Sequence, residues 1–158
     1  MNRERIACFV DGFNLYHALR EIKKPYLKWL DLSQLMERLF PHQHSQIITD
    51  IFFFSAYPTW KKDSYERHRK YVSALRASGV QPILGQFKIK QRKCPNCKHG
   101  WRGHEEKESD VNIALALLNE AYRDRYDRAV IVSRDSDLAP ATRMVRKYFP
   151  EKTITILS

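Results

Sequence analysis

Four aspartates are the residues of this 158-residue chain whose type and spacing could do chemistry. Asp11, Asp135 and Asp137 come at the ends of apolar runs, and Asp110 opens a helical pattern between them. Carboxylates brought together repel one another, and a divalent cation is the usual remedy. Mg²⁺ and Mn²⁺ prefer oxygen ligands, can activate water near neutral pH and can neutralise a phosphodiester transition state. The four acids therefore predict a Mg²⁺ or Mn²⁺ site.

Each of these acids also has a purely structural explanation when it is considered alone. Asp11-Gly12 fits ordinary turn chemistry, and Asp137 could cap the helix that begins at Leu138. Asp110, or Ser109 before it, could cap a helix of its own. The metal interpretation depends on the set, and it requires the first and fourth predicted strands to be neighbours so that the carboxylates meet at one sheet edge.

Three polar residues near the acids are candidates for supporting roles. Asn14 could orient a carboxylate or a metal-bound water, Ser133 could contact a phosphate, and Lys107 could neutralise one. The alternative for Asn14 and Ser133 is ordinary hydrogen bonding within a loop. The alternative for Lys107 is a solvated position on the surface.

A sheet of parallel strands is the structure that must position these residues. Apolar runs predict strands at 5–10, 47–57, 80–87, 129–132 and 153–157, and helical spacing predicts helices at 13–21, 31–40, 60–77, 110–122 and 138–148. Asp110 is expected at the N-terminal end of a buried helical stripe. Strands that alternate with helices imply an α/β domain over residues 1–158, with a mostly parallel sheet of about five strands covered on both faces. Ligands of such sheets bind at the carboxyl ends of the strands.

The charge balance favours a polyanionic partner. Lys and Arg number 28 against 18 for Asp and Glu, which gives a formal net charge of +10. Nucleic acid is the commonest polyanion, and general solubility is the alternative reason for such a charge. No stretch approaches the roughly 20 apolar residues of a membrane span, and the charged start does not fit a signal peptide. Because three cysteines make no secreted disulfide framework, we expect a reducing cytoplasmic environment.

Residues 88–107 interrupt the alternating pattern and are predicted to be a basic insertion on the domain. Cys94 and Cys97 form a Cys-x-x-Cys half-site that suits tetrahedral Zn²⁺, and His99 and His104 are the nearest candidates to complete it. A metal-free loop or a redox-active thiol pair is the alternative.

The same insertion contains basic and aromatic side chains of the kind that single-stranded nucleic acid binds. The candidates are Lys88, Lys90, Arg92, Lys93, Trp101 and Arg102. A solvated charged loop is the competing interpretation.

Three motifs, in order along nearly the whole chain, resemble the NYN domain family, and more narrowly the LabA-like branch of the PIN-like nucleases. They are Asp11-Gly12-Phe13-Asn14, Glu106-Lys107-Glu108-Ser109-Asp110-Val111 and Ser133-Arg134-Asp135-Ser136-Asp137-Leu138. The resemblance implies a PIN-like three-layer α/β/α fold, Mg²⁺ or Mn²⁺ bound by the four aspartates, and cleavage of RNA. Similar Cys-x-x-Cys loops followed by His-Glu-Glu-Lys occur in that family, which favours structural zinc. Arg134 departs from the small residue that the family often has there, and it could grip phosphate or narrow the site.

The sequence therefore predicts a metal-dependent ribonuclease, with an endoribonuclease as the first expectation. A non-catalytic RNA-binding regulatory module is the alternative. Phosphatase chemistry through Asp11 is less favoured, because Asp11-Gly12-Phe13 lacks the second aspartate that such enzymes usually carry two residues later. The expected partner is single-stranded or structured RNA, a homodimer is reasonable, and no membrane partner is expected.

Overall fold

A five-stranded parallel sheet lies at the centre of the computed structural model, which describes residues 3–41 and 45–158. Residues 1–2 of the charged start lie outside the described part. The strands are β1 (Glu4–Asp11), β2 (Gln46–Ser55), β3 (Gln81–Leu84), β4 (Gln86–Lys93), β5 (Gly100–Lys107), β6 (Arg128–Val132) and β7 (Thr153–Leu157). The helices are α1 (Gly12–Glu21), α2 (Leu32–Leu39), α3 (Lys62–Ala77), α4 (Ser109–Tyr122) and α5 (Ala139–Tyr148), with 3₁₀ segments at Pro25–Trp29 and Ser136–Leu138.

The strand order in the sheet is β3-β2-β1-β6-β7, and all four pairings are parallel. The first and fourth predicted strands are therefore neighbours, with Val10 opposite Val132. The prediction of an α/β fold with a mostly parallel sheet of about five strands is confirmed. Because β1 and β6 run side by side, the segments that follow them leave the sheet at the same edge.

Burial on both faces explains why β1 is a continuous apolar run. Residues 6–10 are 0% exposed, and alternate side chains enter opposite layers. Ala7 and Phe9 pack in one core with residues of α4 and α5, while Ile6, Cys8 and Val10 pack in the other with residues of α2 and α3. Each large side chain buried in this way stabilises the fold by about 1.5–3 kcal/mol. Burial also raises the pKa of the Cys8 thiol to about 12, so the thiol stays protonated.

The segment 88–107 forms most of an antiparallel hairpin, whereas an irregular insertion was expected. β4 and β5 pair from Gln86–Lys107 to Lys93–Gly100, and the predicted third strand ends earlier, at Leu84. Most side chains of β4 are exposed, so the hairpin has no alternation of apolar and polar residues that the sequence could reveal. Gly85 lies between β3 and β4 and so joins the two sheets. A Cβ at this position would lie 2.5 Å from the Lys107 carbonyl oxygen, so the close approach of the two segments requires glycine.

An ion-pair network joins the starts of β1 and β6. The Arg5 guanidinium donates to Asp127, with Nη2–Oδ1 at 2.7 Å and Nε–Oδ2 at 3.1 Å, and it also reaches Asp124 at 3.0 Å. The hydrogen bonds from Arg5 hold the pKa of the Asp127 carboxyl below its ordinary value.

Among the helices of the described residues, none has the length and hydropathy to cross a bilayer.

Candidate active site

Asp11 ends β1 and caps α1. Its Oδ1 accepts hydrogen bonds from the backbone amides of Phe13 (3.1 Å) and Asn14 (3.0 Å). Its Oδ2 accepts from Asn14 Nδ2 at 2.6 Å and from Ser133 Oγ at 2.9 Å. A Cβ at Gly12 would lie 2.6 Å from the Phe54 carbonyl oxygen, so only glycine allows α1 to begin this close to β2. The Asp11 carboxylate is thus buried, at 2% exposure, and fixed by four donors.

Ser133 and Asn14 connect the end of β1 to the end of β6. While the Ser133 hydroxyl donates to Asp11, it accepts from the amide of Asp135 at 3.0 Å. The side-chain oxygen of Asn14 accepts from the amide of Arg134 at 3.2 Å. The structure therefore places both predicted supporting residues between the acids, where their hydrogen bonds hold the two junctions together.

Asp135 and Asp137 lie in the turn that follows β6. Asp135 is half-buried and accepts from the amide of Asp137 at 2.8 Å, which makes it the cap of the 3₁₀ segment. Asp137 is exposed to solvent. The sequence offered Asp137 as a cap for the helix that follows. The cap observed in this turn is Asp135, two residues earlier.

Asp110 is half-buried in the first turn of α4. The buried stripe of that helix follows Ser109, Ile113, Leu117 and Ala121, so Asp110 lies at its border rather than on it. Burial and, after it, repulsion from neighbouring carboxylates raise the pKa of Asp110 to about 6. Those neighbours are Asp135, Asp11, Glu106 and Asp137. Asp11, Asp135 and Asp137 are therefore close enough to Asp110, at the carboxyl edge of the sheet, to influence its charge.

Glu106 is a fifth acid of this cluster, and its sequence position did not predict a role in the site. Its Oε1 accepts from the amide of Ser109 at 3.1 Å and from the Ser109 hydroxyl at 2.6 Å. These bonds fix the start of α4 after Glu108, which has a φ of 82°. The spacing of an acid three residues before Ser109 was the available signal, but its approach to Asp110 depends on the hairpin.

The chemistry of these side chains fits a hard divalent cation. The side chains available are carboxylates, whose oxygens Mg²⁺ and Mn²⁺ prefer as ligands, and burial together with repulsion among these carboxylates raises the pKa of Asp110. The side chains do not yet form a ligand set, since residues 3–41 and 45–158 contain no group of three His, Cys, Asp or Glu placed to hold a metal. Asp110, Asp135 and Asp137 are more exposed than Asp11, and the binding of an ion by these four acids stays a prediction.

The hairpin separates the residues that were predicted to bind zinc. Cys94 and Cys97 share the turn, where the amide of Cys94 donates to the His99 carbonyl oxygen at 2.8 Å. Hydrogen bonds from the backbone amides of Cys97 and Asn96 lower the pKa of the Cys94 thiol. His104 lies opposite Ile89, well along the strand, and stacks on Trp60 with ring centroids 3.8 Å apart. The turn thus unites two thiols, and in the described part of the chain no third ligand joins them.

Three of the predicted phosphate-binding cations form an ion pair with an acid. Lys90 and Lys107 both contact Glu105, each at 2.9 Å, and their hydrogen bonds lower the pKa of Glu105 to about 2. Arg134 Nη1 lies 3.7 Å from Glu21. The other nucleic-acid-binding candidates are exposed along the hairpin: Lys88, Arg92, Lys93, Trp101 and Arg102.

An aromatic cavity lies beside the acids and was not foreseen from the sequence. Its volume is about 510 Å³, and Gly12 and Phe13 form the side nearest Asp11. Tyr16, Trp29 and Trp60 line it with rings that are 39–51% exposed. Exposed aromatic residues scattered over distant segments give no local signal of this kind.

This geometry defines a class of protein: an α/β protein with several carboxylates near the point where two neighbouring parallel strands end. The model of the NYN domain matches residues 5–157, and the chain belongs to the NYN domain family. The family prediction is thereby confirmed, while its narrower LabA-like assignment stays a prediction.

Two known proteins are similar to the chain. A solved protein of unknown function from Vibrio parahaemolyticus shares the fold, with a TM-score of 0.64 and 22% identity over 98% of this chain and 80% of its own. The 6-hydroxy-3-succinoylpyridine 3-monooxygenase of Pseudomonas putida is 30% identical over 91% of this chain. The chain spans 56% of that protein, or about half its length.

Proposed function

We propose that this chain is a metal-dependent ribonuclease that hydrolyses RNA phosphodiester bonds with Mg²⁺ or Mn²⁺. The observation that carries the proposal is the convergence of four carboxylates on Asp110, three of which were selected from distant parts of the sequence. Membership of the NYN domain family and a net charge of +10 support an anionic nucleic acid as the substrate.

The acids divide into two roles in this proposal. Asp110, Asp135 and Asp137 would hold the ion, because their side chains reach solvent. Asp11 adds its charge at the same edge, while its four hydrogen bonds keep Asn14 and Ser133 in place. When bound, the ion supplies a more acidic water and neutralises charge on the phosphodiester.

The exposed cations of the hairpin would guide the RNA strand toward this edge. Lys88, Arg92 and Arg102 are exposed, and β5 leads directly into the turn that carries Asp110. Lys107 and Lys90 first have to leave Glu105 before they can bind a phosphate. In this proposal the RNA therefore binds the cationic surface of the hairpin before it reaches the acids.

The proposal is tested by incubating pure protein with labelled single-stranded and structured RNA in Mn²⁺ or Mg²⁺. Asp135→Asn removes one charge of the cluster, and Asp63→Asn changes an exposed acid of α3 as the matched control. We expect wild type and Asp63→Asn to cut, and Asp135→Asn to cut at least about 100-fold more slowly while binding RNA equally well. Equal cleavage by all three proteins would mean a contaminating nuclease. Binding by all three without cleavage would favour the non-catalytic RNA-binding module.

A second candidate function rests on the monooxygenase relative together with the aromatic cavity. The substrate in that relative's name is a hydroxypyridine with a succinoyl side chain, which is a flat ring bearing a carboxylate at neutral pH. Such a molecule suits a cavity lined by aromatic rings and by Lys28, Lys61 and Arg67. Calorimetric titration with 6-hydroxy-3-succinoylpyridine tests it: micromolar binding without RNA cleavage would favour this function over the nuclease.

A further inference from the structure

The aromatic cavity begins at the two residues that follow Asp11 in the chain. Gly12 and Phe13 line it, and the amide of Phe13 donates to the Asp11 carboxylate at 3.1 Å. The remaining walls come from α1, the 3₁₀ segment Pro25–Trp29, the end of β2 and α3. The start of α1 therefore borders both the cavity and the Asp11 carboxylate.

Three partly exposed aromatic residues line this cavity. Tyr16, Trp29 and Trp60 are 43%, 51% and 39% exposed, although aromatic residues of this size are usually more buried. Trp29 meets Tyr71 edge to face at 6.2 Å, and Trp60 meets Phe87 in the same way at 4.6 Å. Because the edge contact braces Trp29, this indole can present a flat surface with little loss of side-chain entropy on binding, whereas Trp60 already stacks on His104 with ring centroids 3.8 Å apart.

The charge of the cavity is opposite to that of the crevice beside it. Lys28, Lys61 and Arg67 line it, and none of its described lining residues is Asp or Glu. None of these three cations forms an ion pair within the described residues. The cavity thus favours a ligand that combines a flat ring with a negative group.

A polar pair at the end of β2 lines the same cavity. Ser55 Oγ and His68 Nε2 are 3.0 Å apart, and Ser55 is only 2% exposed. Burial lowers the pKa of His68, so the imidazole is neutral at pH 7 and can both donate and accept. A volume of about 510 Å³ is within the roughly 300–1,000 Å³ of small-ligand sites.

We propose that the aromatic cavity binds one nucleotide of the RNA strand, next to the phosphodiester that the acids address. Trp29 or Tyr16 stacks on the base, while Lys28, Lys61 and Arg67 contact the phosphate. Stacking tolerates every base, so the subsite fixes the register of the strand more than its sequence. This inference rests on RNA being the substrate, as proposed above.

Direct binding of small probes tests the subsite without any need for cleavage. The probes are 5′-AMP, 5′-UMP and ribose 5-phosphate, titrated by calorimetry in EDTA. The variants are Trp29→Ala, the ring-conserving Trp29→Phe and, as matched control, Tyr26→Ala, which alters an exposed ring of the same 3₁₀ segment outside the cavity. Unfolding temperatures verify that each variant is folded.

We expect both nucleotides to bind, and ribose 5-phosphate to bind at least about tenfold more weakly because it lacks the base. Trp29→Ala should weaken nucleotide binding about tenfold, Trp29→Phe should restore most of it, and Tyr26→Ala should leave it unchanged. In the cleavage assay, Trp29→Ala should raise KM about tenfold with kcat within about twofold, in contrast to the loss of kcat in Asp135→Asn.

Three results would overturn the inference. One is equal nucleotide binding by wild type and Trp29→Ala, even if the protein cuts RNA. Another is equal affinity for ribose 5-phosphate and the nucleotides, which would remove the base from the site. The third is binding of 6-hydroxy-3-succinoylpyridine without binding of either nucleotide. Nucleotide binding that depends on Trp29, in a protein that never cuts RNA, would instead retain the subsite and refute the nuclease.

Discussion

Asp11 combines two roles that local reasoning treats as alternatives. It caps α1 through the amides of Phe13 and Asn14, and it is one of the charges that raise the pKa of Asp110. Four hydrogen bonds offset the cost of burying the Asp11 charge, whereas Asp110 accepts no side-chain hydrogen bond from the described residues and is repelled by its neighbours. The two acids of one cluster should therefore respond differently to substitution.

Asp11→Ala should lower the free energy of unfolding by about 1–3 kcal/mol, since it removes a helix cap and leaves buried donors without an acceptor. Asp110→Asn should leave the stability of metal-free protein at pH 7 unchanged or raise it slightly, because it removes a repelled charge. Urea unfolding in EDTA, followed by circular dichroism, measures both. A loss in Asp110→Asn as large as that in Asp11→Ala would show that the Asp110 charge is stabilising.

Residues of the candidate site could be predicted where they directly follow an apolar run or begin a helical pattern. Asp11, Asp135 and Asp137 end apolar runs, and Asp110 opens a clear helix, so pattern alone located them. Glu106 and the stacking of His104 on Trp60 depend on how the hairpin folds over the domain. Such contacts between distant segments leave no mark in local spacing.

Among the elements, the sheet strands and helices were predictable and the hairpin was not. Strands buried on both faces must be apolar throughout, and helices over a core must carry an apolar stripe, so both leave patterns. β4 is largely exposed and reads as a basic loop. The same hairpin places His104 opposite Ile89, along the strand from the two thiols, and the zinc prediction stays a prediction.

The link between β1 and β6 provides a pH-dependent prediction at the level of elements. Asp127→Asn should cost about 1 kcal/mol at pH 7, a value that allows for solvent screening of this partly exposed pair. The folded-state pKa of Asp127 is lowered, so its contribution is complete above the ordinary value of 3.8 and is lost as the pH falls below it. Thermal unfolding between pH 3 and 8 measures the difference between variant and wild type.

The difference in unfolding temperature should therefore shrink toward zero below about pH 4. Glu66→Gln, at an exposed position in the second turn of α3, is the control and should show little difference at any pH. A destabilisation by Asp127→Asn that is the same at pH 3 and pH 7 would contradict this prediction. The effect would then come from the poorer hydrogen bonds that the neutral amide makes with Arg5, and not from loss of the ion pair.

At the scale of the whole molecule, the net charge of +10 sets the expected salt dependence of RNA binding. The logarithm of the binding constant should fall linearly with the logarithm of the salt concentration. Lys88→Ala and Arg92→Ala should each reduce the slope by about 0.7 if their side chains contact phosphates of a single strand. Filter binding or fluorescence anisotropy between 50 and 300 mM salt measures this slope.

Lys147→Ala, on α5, is the matched control for those hairpin variants. An unchanged slope in the hairpin variants together with a reduced slope in Lys147→Ala would place the RNA on another face. The predicted homodimer stays a prediction, and the dependence of sedimentation on protein concentration is the measurement that addresses it.

The central position of β1 in the sheet has a consequence for how the chain is made. β1 pairs with β2 on one side and with β6 on the other, although β6 begins only at Arg128. During synthesis, a strand whose residues 6–10 are fully buried in the folded protein therefore waits with one hydrogen-bonding edge open until most of the chain has left the ribosome. An open strand edge is a template for pairing with other chains. Ribosome-bound chains that stop before Arg128 should accordingly be the ones that chaperones hold, with release when β6 closes the sheet.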